Sequence, residues 1–305
     1  MAKQGAQVAA PAGFWKKNQK TFAPWLFLAP GIAMFLLYVI FPIFQSIIIS
    51  FYEWDGLGPK TYVGLQNYRD LFDDESFYTS LKNNLIWLIL YMLAIPAGLA
   101  VALFLNQTVT GIRFYKSLFF FPFVISQVVV GLIFTWFYAP GFGFLPHIIK
   151  FFTGSEIAVL ADDRFATYGV IAAGLWPQTA YCMILYLTGL NNINPEQVEA
   201  ARMDNAKGWS MLWHIIIPQL RPATFIAMVV TVIGALRSFD LISVMTVGGP
   251  YGSTRVLSYF MYEQSLSEYG TAMGYGAAIA VVLFAIMLVF ISLFIVRMLS
   301  QEGNS

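Results

Sequence analysis

Residues 275–299 read YGAAIAVVLFAIMLVFISLFIVRML, a run in which Arg297 is the sole charged residue. A helix needs about 20 predominantly apolar residues to cross the roughly 30 Å hydrocarbon core of a bilayer. This run therefore predicts a transmembrane helix. Five earlier runs have the same character, at residues 25–51, 83–105, 114–138, 166–190 and 223–247. We predict an all-α membrane protein with six transmembrane helices.

The composition of the 305-residue chain agrees with this class. Hydrophobic residues make up 58% of the chain and charged residues only 11%, whereas soluble domains carry about 25% charged residues. The 28 Phe, 16 Tyr and eight Trp residues suit lipid-facing helices with aromatic belts.

The distribution of basic residues orients the predicted helices. With the N-terminus inside, the cytoplasmic segments hold ten Lys and Arg residues and the outer segments hold six. Cytoplasmic loops are the more basic ones, so both termini are predicted to be cytoplasmic. The predicted organisation is a tail at 1–24, a transmembrane domain at 25–299, containing a cytoplasmic loop at 191–222, and a tail at 300–305. The long outer loops at 53–82 and 139–165 either present a docking surface or only reconnect helices.

Several classes of protein lack support in the sequence. No GxxxxGK[ST] loop is present, so we expect no ATP phosphate site on this chain. His147 and His214 are isolated in the sequence, and the single cysteine, Cys182, lies in an apolar run and is expected to be a packing residue. We find no catalytic constellation and expect no enzyme.

The loop at 191–222 contains helix-capping signals. Asn194 is a good N-cap, Pro195 suits the first helical position, and Gln197 lies where a capping box places its Glu or Gln. The sequence predicts a helix from Glu196 to about Asn205. Gly208 then ends it or turns the chain into a second helical piece.

Small and acidic side chains share the first of these helices. Small side chains let another protein approach a helix backbone closely, and acidic ones can pair with basic groups of that partner. These residues are Ala200, Ala201, Ala206, Glu199 and Asp204. The second piece, at 209–217, is too apolar to face water freely. Two interpretations fit equally well on these grounds: a docking element for a cytosolic subunit, or an amphipathic helix lying on the bilayer.

The order of these residues resembles the EAA loop of ABC-importer permeases. That family pattern reads EAA, two variable residues, Asp-Gly-Ala, and a hydrophobic stretch ending in Leu-Pro. The matching residues are Glu199, Ala200, Ala201, Asp204, Ala206, Ile215 and Pro218. Asn205 stands in place of the usual Gly, and Ile217 in place of Leu. Since Asn tolerates positive φ better than most residues, we expect the turn to survive.

The resemblance implies a set of partners. The EAA loop, including Gly208, would sit in a cleft of a cytosolic ABC ATPase dimer that carries ATP and Mg, so this chain would hold no cofactor of its own. A second, homologous permease and a periplasmic or lipid-anchored sugar-binding protein would complete an alternating-access importer in the inner membrane. We expect contact with the lipid bilayer and no nucleic-acid partner.

A second resemblance concerns the solute. Phe239-Asp240, Thr246-Val247-Gly248-Gly249-Pro250, Thr254, Leu257 and Tyr259 resemble the FD…LTxGGP…T…L…Y pattern of carbohydrate-uptake permeases. A Gly-Gly-Pro sequence is also a sharp helix stop at a membrane interface. The resemblance implies a sugar or a sugar-like solute.

Polar residues within the predicted spans are candidates for the substrate path. Arg237 and Asp240 are three residues apart in span five, which predicts neighbours on one helix face. They form either a sugar-facing or gating pair, or a self-neutralised pair that holds helices together. Small and polar stripes on spans five and four line the path or only pack helices together. The stripes contain Thr231, Ala235 and Ser238 in span five, and Gly174, Pro177, Gln178 and Tyr181 in span four. Sugar rings could stack on Trp176 or Tyr181. Pro177 is also expected to kink span four.

Two other functions stay open at this point. An ABC permease for a polyol or glycerol phosphate would need basic groups in the path, and Arg237 is the one available within a span. An ion-coupled secondary transporter would need carboxylates along the path but no EAA loop, and Asp240 is the one carboxylate within a span.

Overall fold

The computed structural model describes residues 14–107, 110–267 and 271–302, and these ranges are mainly helical. The expectations for residues 1–13 and 303–305 lie outside the described residues. The helices are α1 (Phe14–Phe35), α2 (Phe41–Ile49), α3 (Gln66–Asp73), α4 (Glu75–Tyr91), α5 (Ala94–Leu105), α6 (Ile112–Val124), α7 (Gln127–Phe137), α8 (Phe144–Thr153), α9 (Ala166–Asn191), α10 (Pro195–Met203), α11 (Trp209–Met211), α12 (Ile217–Gln219), α13 (Arg221–Leu236), α14 (Asp240–Met245), α15 (Leu257–Ser265) and α16 (Met273–Glu302). Two π-helical turns, Leu36–Ile40 and Leu212–Ile216, join α1 to α2 and α11 to α12. A short antiparallel hairpin pairs β1 (Tyr52–Glu53) with β2 (Thr61–Tyr62).

Four helical segments of the described chain are long and apolar enough to cross a membrane without a sharp bend. They are Ala23–Ile49, Glu75–Leu105, Ala166–Asn191 and Met273–Arg297, and they coincide with the predicted spans one, two, four and six. Two bent helix pairs raise the number of candidate spans to six if each pair is one span.

The third predicted span, 114–138, is two helices rather than one. α6 and α7 meet at an angle of 101°, because Ile125 is extended and Ser126 starts a new helix. The Ser126 hydroxyl accepts the N–H of Val129 at 3.4 Å as an N-cap. The sequence did not predict this bend.

The fifth predicted span, 223–247, is also interrupted. α13 ends at Leu236, residues 237–239 leave the helical path, and α14 begins at Asp240. At the other end of α13, the segment Trp209–Gln219 joins it with a bend of 69°.

Helix α9 lies at the centre of the bundle and packs against α4, α5, α6, α7, α13 and α14. It approaches α5 closely at Gly98, where an added Cβ would lie 2.5 Å from Cβ of Cys182 and 2.8 Å from N of Met183. Cys182 is fully buried there. The helix continues through Pro177 without ending.

Candidate functional site

Helix α10 begins at the cap that the sequence predicts. Oδ1 of Asn194 accepts the N–H of Glu196 at 2.9 Å, and Pro195 takes the first helical position. The N–H of Asn194 donates to Oε1 of Gln219 at 3.2 Å, so Gln219, not Gln197, supplies the reciprocal bond of a capping box. Because Gln219 belongs to α12, this bond ties the start of α10 to the end of the second helical piece.

The C-terminus of α10 forms a Schellman motif centred on Asn205. Asn205 has φ +64°, the left-handed conformation that usually selects Gly. The N–H of Ala206 donates to the carbonyl of Ala201 at 2.9 Å, and the N–H of Asn205 donates to that of Arg202 at 3.0 Å. The turn therefore survives the replacement of Gly by Asn, as predicted. Gly208 follows with φ +53° and redirects the chain into α11.

The predicted partner-facing side chains divide into two groups. Glu199, Ala200 and Asp204 are exposed. Ala201 is only 6% exposed, because it lies on the side of α10 that faces its own chain, where the helix packs on the second π-helical turn. Ala206 is half-buried. Ala201 therefore faces its own chain in this conformation, and its role in coupling to an ATPase stays a prediction.

Three large apolar side chains of the same loop are exposed. Met203 is 87%, Trp209 74% and Trp213 58% exposed, whereas Ile215 and Pro218 are half-buried. Trp209 and Trp213 lie in the piece at 209–217 that was predicted to be too apolar for water, whereas Met203 was not identified from the sequence. Exposed apolar groups of this size on a loop mark a contact with another protein or with lipid.

The break in span five separates the two charged residues predicted to be helix neighbours. Arg237 caps the end of α13, and Asp240 is the first residue of α14. The prediction that they share one helix face is wrong, because the break resets the helical phase between them. Both side chains are exposed, and no ion pair joins them among the salt bridges of the described chain.

Two adjacent asparagines of α4 hold this break in place. Asn83 Nδ2 donates to the carbonyls of Ser253 at 2.7 Å and Arg255 at 2.8 Å. Asn84 Oδ1 accepts the N–H of Leu257 at 2.9 Å, and its Nδ2 approaches the carbonyl of Leu236 at 3.5 Å. The side chains thus join the end of α13 to the segment that leads into α15. They are not among the residues predicted from the sequence, although two consecutive amides in an apolar run are a usable signal.

Further bonds fix the segment after α14. α14 ends at Met245, just before the Gly-Gly-Pro sequence, as a helix stop predicts. The hydroxyls of Thr246 and Thr254 lie 2.8 Å apart, and Thr254 also donates to the carbonyl of Gly249 at 2.9 Å. The carbonyl of Ser238 in the break accepts the hydroxyl of Ser258. The break and the following segment are therefore one hydrogen-bonded unit.

The predicted polar stripes of spans four and five meet each other. Gln178 Nε2 donates to Oγ1 of Thr231 at 2.8 Å, and Thr231 and Ala235 are fully buried. Gly174 is covered by the Tyr91 hydroxyl, with which an added Cβ would clash. In this conformation Gly174, Gln178, Thr231 and Ala235 therefore pack between helices. This agrees with the interpretation that the stripes hold helices together.

The two rings of span four that were predicted to stack on a sugar face other helices. Tyr181 stacks on Phe123 with ring centroids 5.3 Å apart, and Trp176 makes edge contacts with Phe121 and Phe134. Ser238 donates its hydroxyl to the carbonyl of Gly234 at 3.1 Å. The structure thus does not unite all the predicted path residues in one cavity.

No group of three or more His, Cys, Asp or Glu in the described part of the chain is arranged to hold a metal ion.

The chain is similar to proteins of known class along most of its length. It is 35% identical to the probable ABC transporter permease protein YurN of Bacillus subtilis (strain 168), over 89% of this chain and 94% of that one. It is 33% identical to the multiple sugar-binding transport system permease protein MsmF of Streptococcus mutans serotype c, over 86% and 90%. The sn-glycerol-3-phosphate transport system permease protein UgpA of Agrobacterium fabrum is 31% identical over 87% and 90%.

The fold has a counterpart of known structure. A chain in the crystal structure of a bacterial alginate ABC transporter, in complex with an alginate pentasaccharide-bound periplasmic protein, superposes with a TM-score of 0.80 over 93% of this chain and 96% of that one, at 21% identity. Residues 94–302 match the model of a single family. This match includes α10 and the break in span five, so the chain belongs to the binding-protein-dependent transport system inner membrane component family.

Proposed function

We propose that this protein is a permease subunit of a binding-protein-dependent ABC importer that takes up a sugar or oligosaccharide. It works with a second permease, a cytosolic ATPase dimer that binds ATP and Mg, and a solute-binding protein outside. The observation that carries the proposal is the capped, partly exposed helix α10 within the family match.

Helix α10 is connected so that a displacement of it would move α13. Caps at both ends make it a stable short helix, and the bond between Asn194 and Gln219 joins it to α12. After α12 the chain passes through Leu220, which is 1% exposed, directly into α13. A displacement of α10 by an ATPase that closes on ATP would therefore be transmitted along α13 to the break at its far end.

The exposed face of α10 provides the proposed contact with the ATPase. Ala200 lets the partner approach the helix backbone, and Glu199 and Asp204 offer carboxylates to basic side chains. Met203 and Trp209 add exposed apolar area, whose burial contributes roughly 25 cal/mol per Å². This proposal favours a protein partner over the bilayer, because the exposed face combines acidic and apolar groups.

The solute path is proposed to run beside the break in span five. Charged side chains at membrane depth face a cavity or a partner rather than lipid, and Arg237 and Asp240 are both exposed on this single chain. Together with Ser238 they offer hydrogen-bond donors and acceptors for hydroxyls, and Trp176 and Tyr181 offer rings for stacking. Gly174, Gln178, Thr231 and Ala235 would then hold spans four and five together behind the path.

A phosphorylated polyol is the second candidate solute. Two similar relatives are named as sn-glycerol-3-phosphate permeases, and the exposed guanidinium of Arg237 is a suitable phosphate ligand. Replacing Arg237 with Gln separates the two cases. In a sugar importer Gln still supplies a hydrogen-bonding group, so uptake should persist. In a phosphate importer the positive charge that pairs with the phosphate is lost, so uptake should fall.

The test is affinity purification of the tagged chain from its own host in mild detergent. We expect a second permease and an ATPase to copurify, with ATP hydrolysis in the eluate. Ala200→Trp is expected to retain the second permease and lose the ATPase, while Ala200→Ser keeps both. A chain that purifies without an ATPase but still transports solute into vesicles would contradict the proposal and favour a secondary carrier.

A further inference from the structure

Helix α8 carries an aromatic surface that the transport function does not use. Its sequence is FLPHIIKFFT, and at 100° per residue Phe144, Ile148, Phe151 and Phe152 fall within one sector of about 100°. All four are exposed, Phe151 at 84% and Phe152 at 79%. We call these four residues the α8 aromatic face.

The opposite side of α8 is anchored to the bundle. Pro146 is buried, and Leu145 packs against the core cluster that contains Tyr138 and Val159. Tyr138 in turn donates its hydroxyl to the carbonyl of Gly169 at 3.1 Å, inside α9. The α8 aromatic face therefore points away from the bundle because its other side is packed.

A small polar network holds both ends of the loop around α8. Glu156 accepts the N–H of Gly141 at 2.7 Å and lies 3.5 Å from Nζ of Lys150. The Gly141 N–H and then the Lys150 ammonium lower the pKa of the Glu156 carboxyl. Gly154 caps the helix with φ +72°, its N–H donating to the carbonyl of Lys150 at 2.9 Å. These charged groups flank the aromatic face.

The position of α8 in the chain places it at a membrane surface. It follows α7, which ends at Phe137, and precedes α9, which begins at Ala166. It thus lies at the opposite end of α9 from α10. The ring of Phe144 contacts that of Phe137 with centroids 5.6 Å apart, and the adjoining Trp136 is also exposed. The α8 aromatic face is therefore continuous with the exposed apolar surface of α7.

We infer that α8 is an interfacial helix whose aromatic face inserts among the headgroups and upper acyl chains of the lipid leaflet on this side of the membrane. Aromatic rings concentrate at this depth of a bilayer, and amphipathic helices lie there with their apolar face buried about 5–10 Å. The helix thereby anchors the connection between spans three and four. The inference rests on the membrane location of the family and not on the solute carried.

The test measures the surroundings of single side chains in the full-length chain reconstituted in phosphatidylcholine nanodiscs. A nitroxide is attached at Phe151→Cys or Phe152→Cys in a Cys182→Ser background, with Ser155→Cys as the matched control. Ser155 is exposed and lies just beyond the end of α8. Collision rates with oxygen, which partitions into lipid, and with a water-soluble nickel chelate are compared by electron paramagnetic resonance.

We expect the nitroxides at positions 151 and 152 to collide several-fold more with oxygen and several-fold less with nickel than the one at 155. Nickel collisions at 151 equal to those at 155 would place the face in water and overturn the inference. Low collision rates with both reagents at 151 and 152 would indicate a protein contact and would also overturn it. None of these outcomes depends on transport or on ATPase binding.

Discussion

Asn205 controls the stability of α10 because it alone takes the left-handed conformation at the C-terminus of that helix. At φ +64° an alanine would be less favourable by about 1 kcal/mol, whereas Gly adopts this conformation at no steric cost. A valine is worse, because β-branched residues are outliers at positive φ. Since RT is about 0.59 kcal/mol, Asn205→Ala should increase local opening of α10 roughly fivefold.

Hydrogen–deuterium exchange of the amides in residues 198–206, followed by mass spectrometry in detergent, measures this opening. Asn192→Ala is the matched control, since Asn192 is also exposed and ends a helix but has φ −98°. We expect exchange to rise in the order Asn205→Gly, Asn205→Ala, Asn205→Val, with Asn192→Ala leaving the segment unchanged. Equal exchange in Asn205→Gly and Asn205→Ala would refute the assignment of Asn205 as a left-handed cap.

Two other predictions concern packing within the membrane domain. Gln178→Leu and Thr231→Val should show a coupling free energy of about 0.6 kcal/mol in a double-mutant cycle, because they remove one interhelical hydrogen bond. Asn84→Ala should destabilise the fold by about 1–3 kcal/mol, because it leaves the buried N–H of Leu257 without an acceptor. Both are read from the midpoint of thermal unfolding in detergent.

The asparagine prediction has a control next to it in the sequence. Leu85→Ala alters the residue next to Asn84 at an exposed position and should change the midpoint little. A midpoint for Asn84→Ala no lower than that of Leu85→Ala would contradict the asparagine role. Additive effects of Gln178→Leu and Thr231→Val would show that their hydrogen bond contributes no measurable stability.

The sequence predicts most reliably what local chemistry determines. Long apolar runs locate the four unbroken candidate spans of the described chain, because length and hydropathy suffice there. The caps at Asn194 and Asn205 follow from side chains within one turn of each end. The partner of the Asn194 N–H is Gln219, some 25 residues later. Gln219 is the acceptor because of how the chain folds back after α10. The capping-box spacing, which favoured Gln197, cannot reveal this.

The break in span five escapes sequence reasoning for a related reason. Residues 237–239 carry no Gly or Pro, and their interruption is sustained by Asn84 from α4 and Ser258 from α15. Such a break is stable only when distant side chains satisfy its backbone groups. The inward orientation of Ala201 likewise depends on the π-helical turn against which α10 packs.

The central claim, that the exposed face of α10 binds a cytosolic ATPase, is tested most directly by site-specific crosslinking in the native host. A photoreactive benzoylphenylalanine replaces Met203 of α10, which is already a large and exposed side chain, in the tagged chain, with the same residue at Ser155 as a control. We predict an ATP-binding subunit crosslinked from position 203 and none from position 155. A chain that crosslinks from position 203 only to lipid, or to no protein at all, would contradict the account.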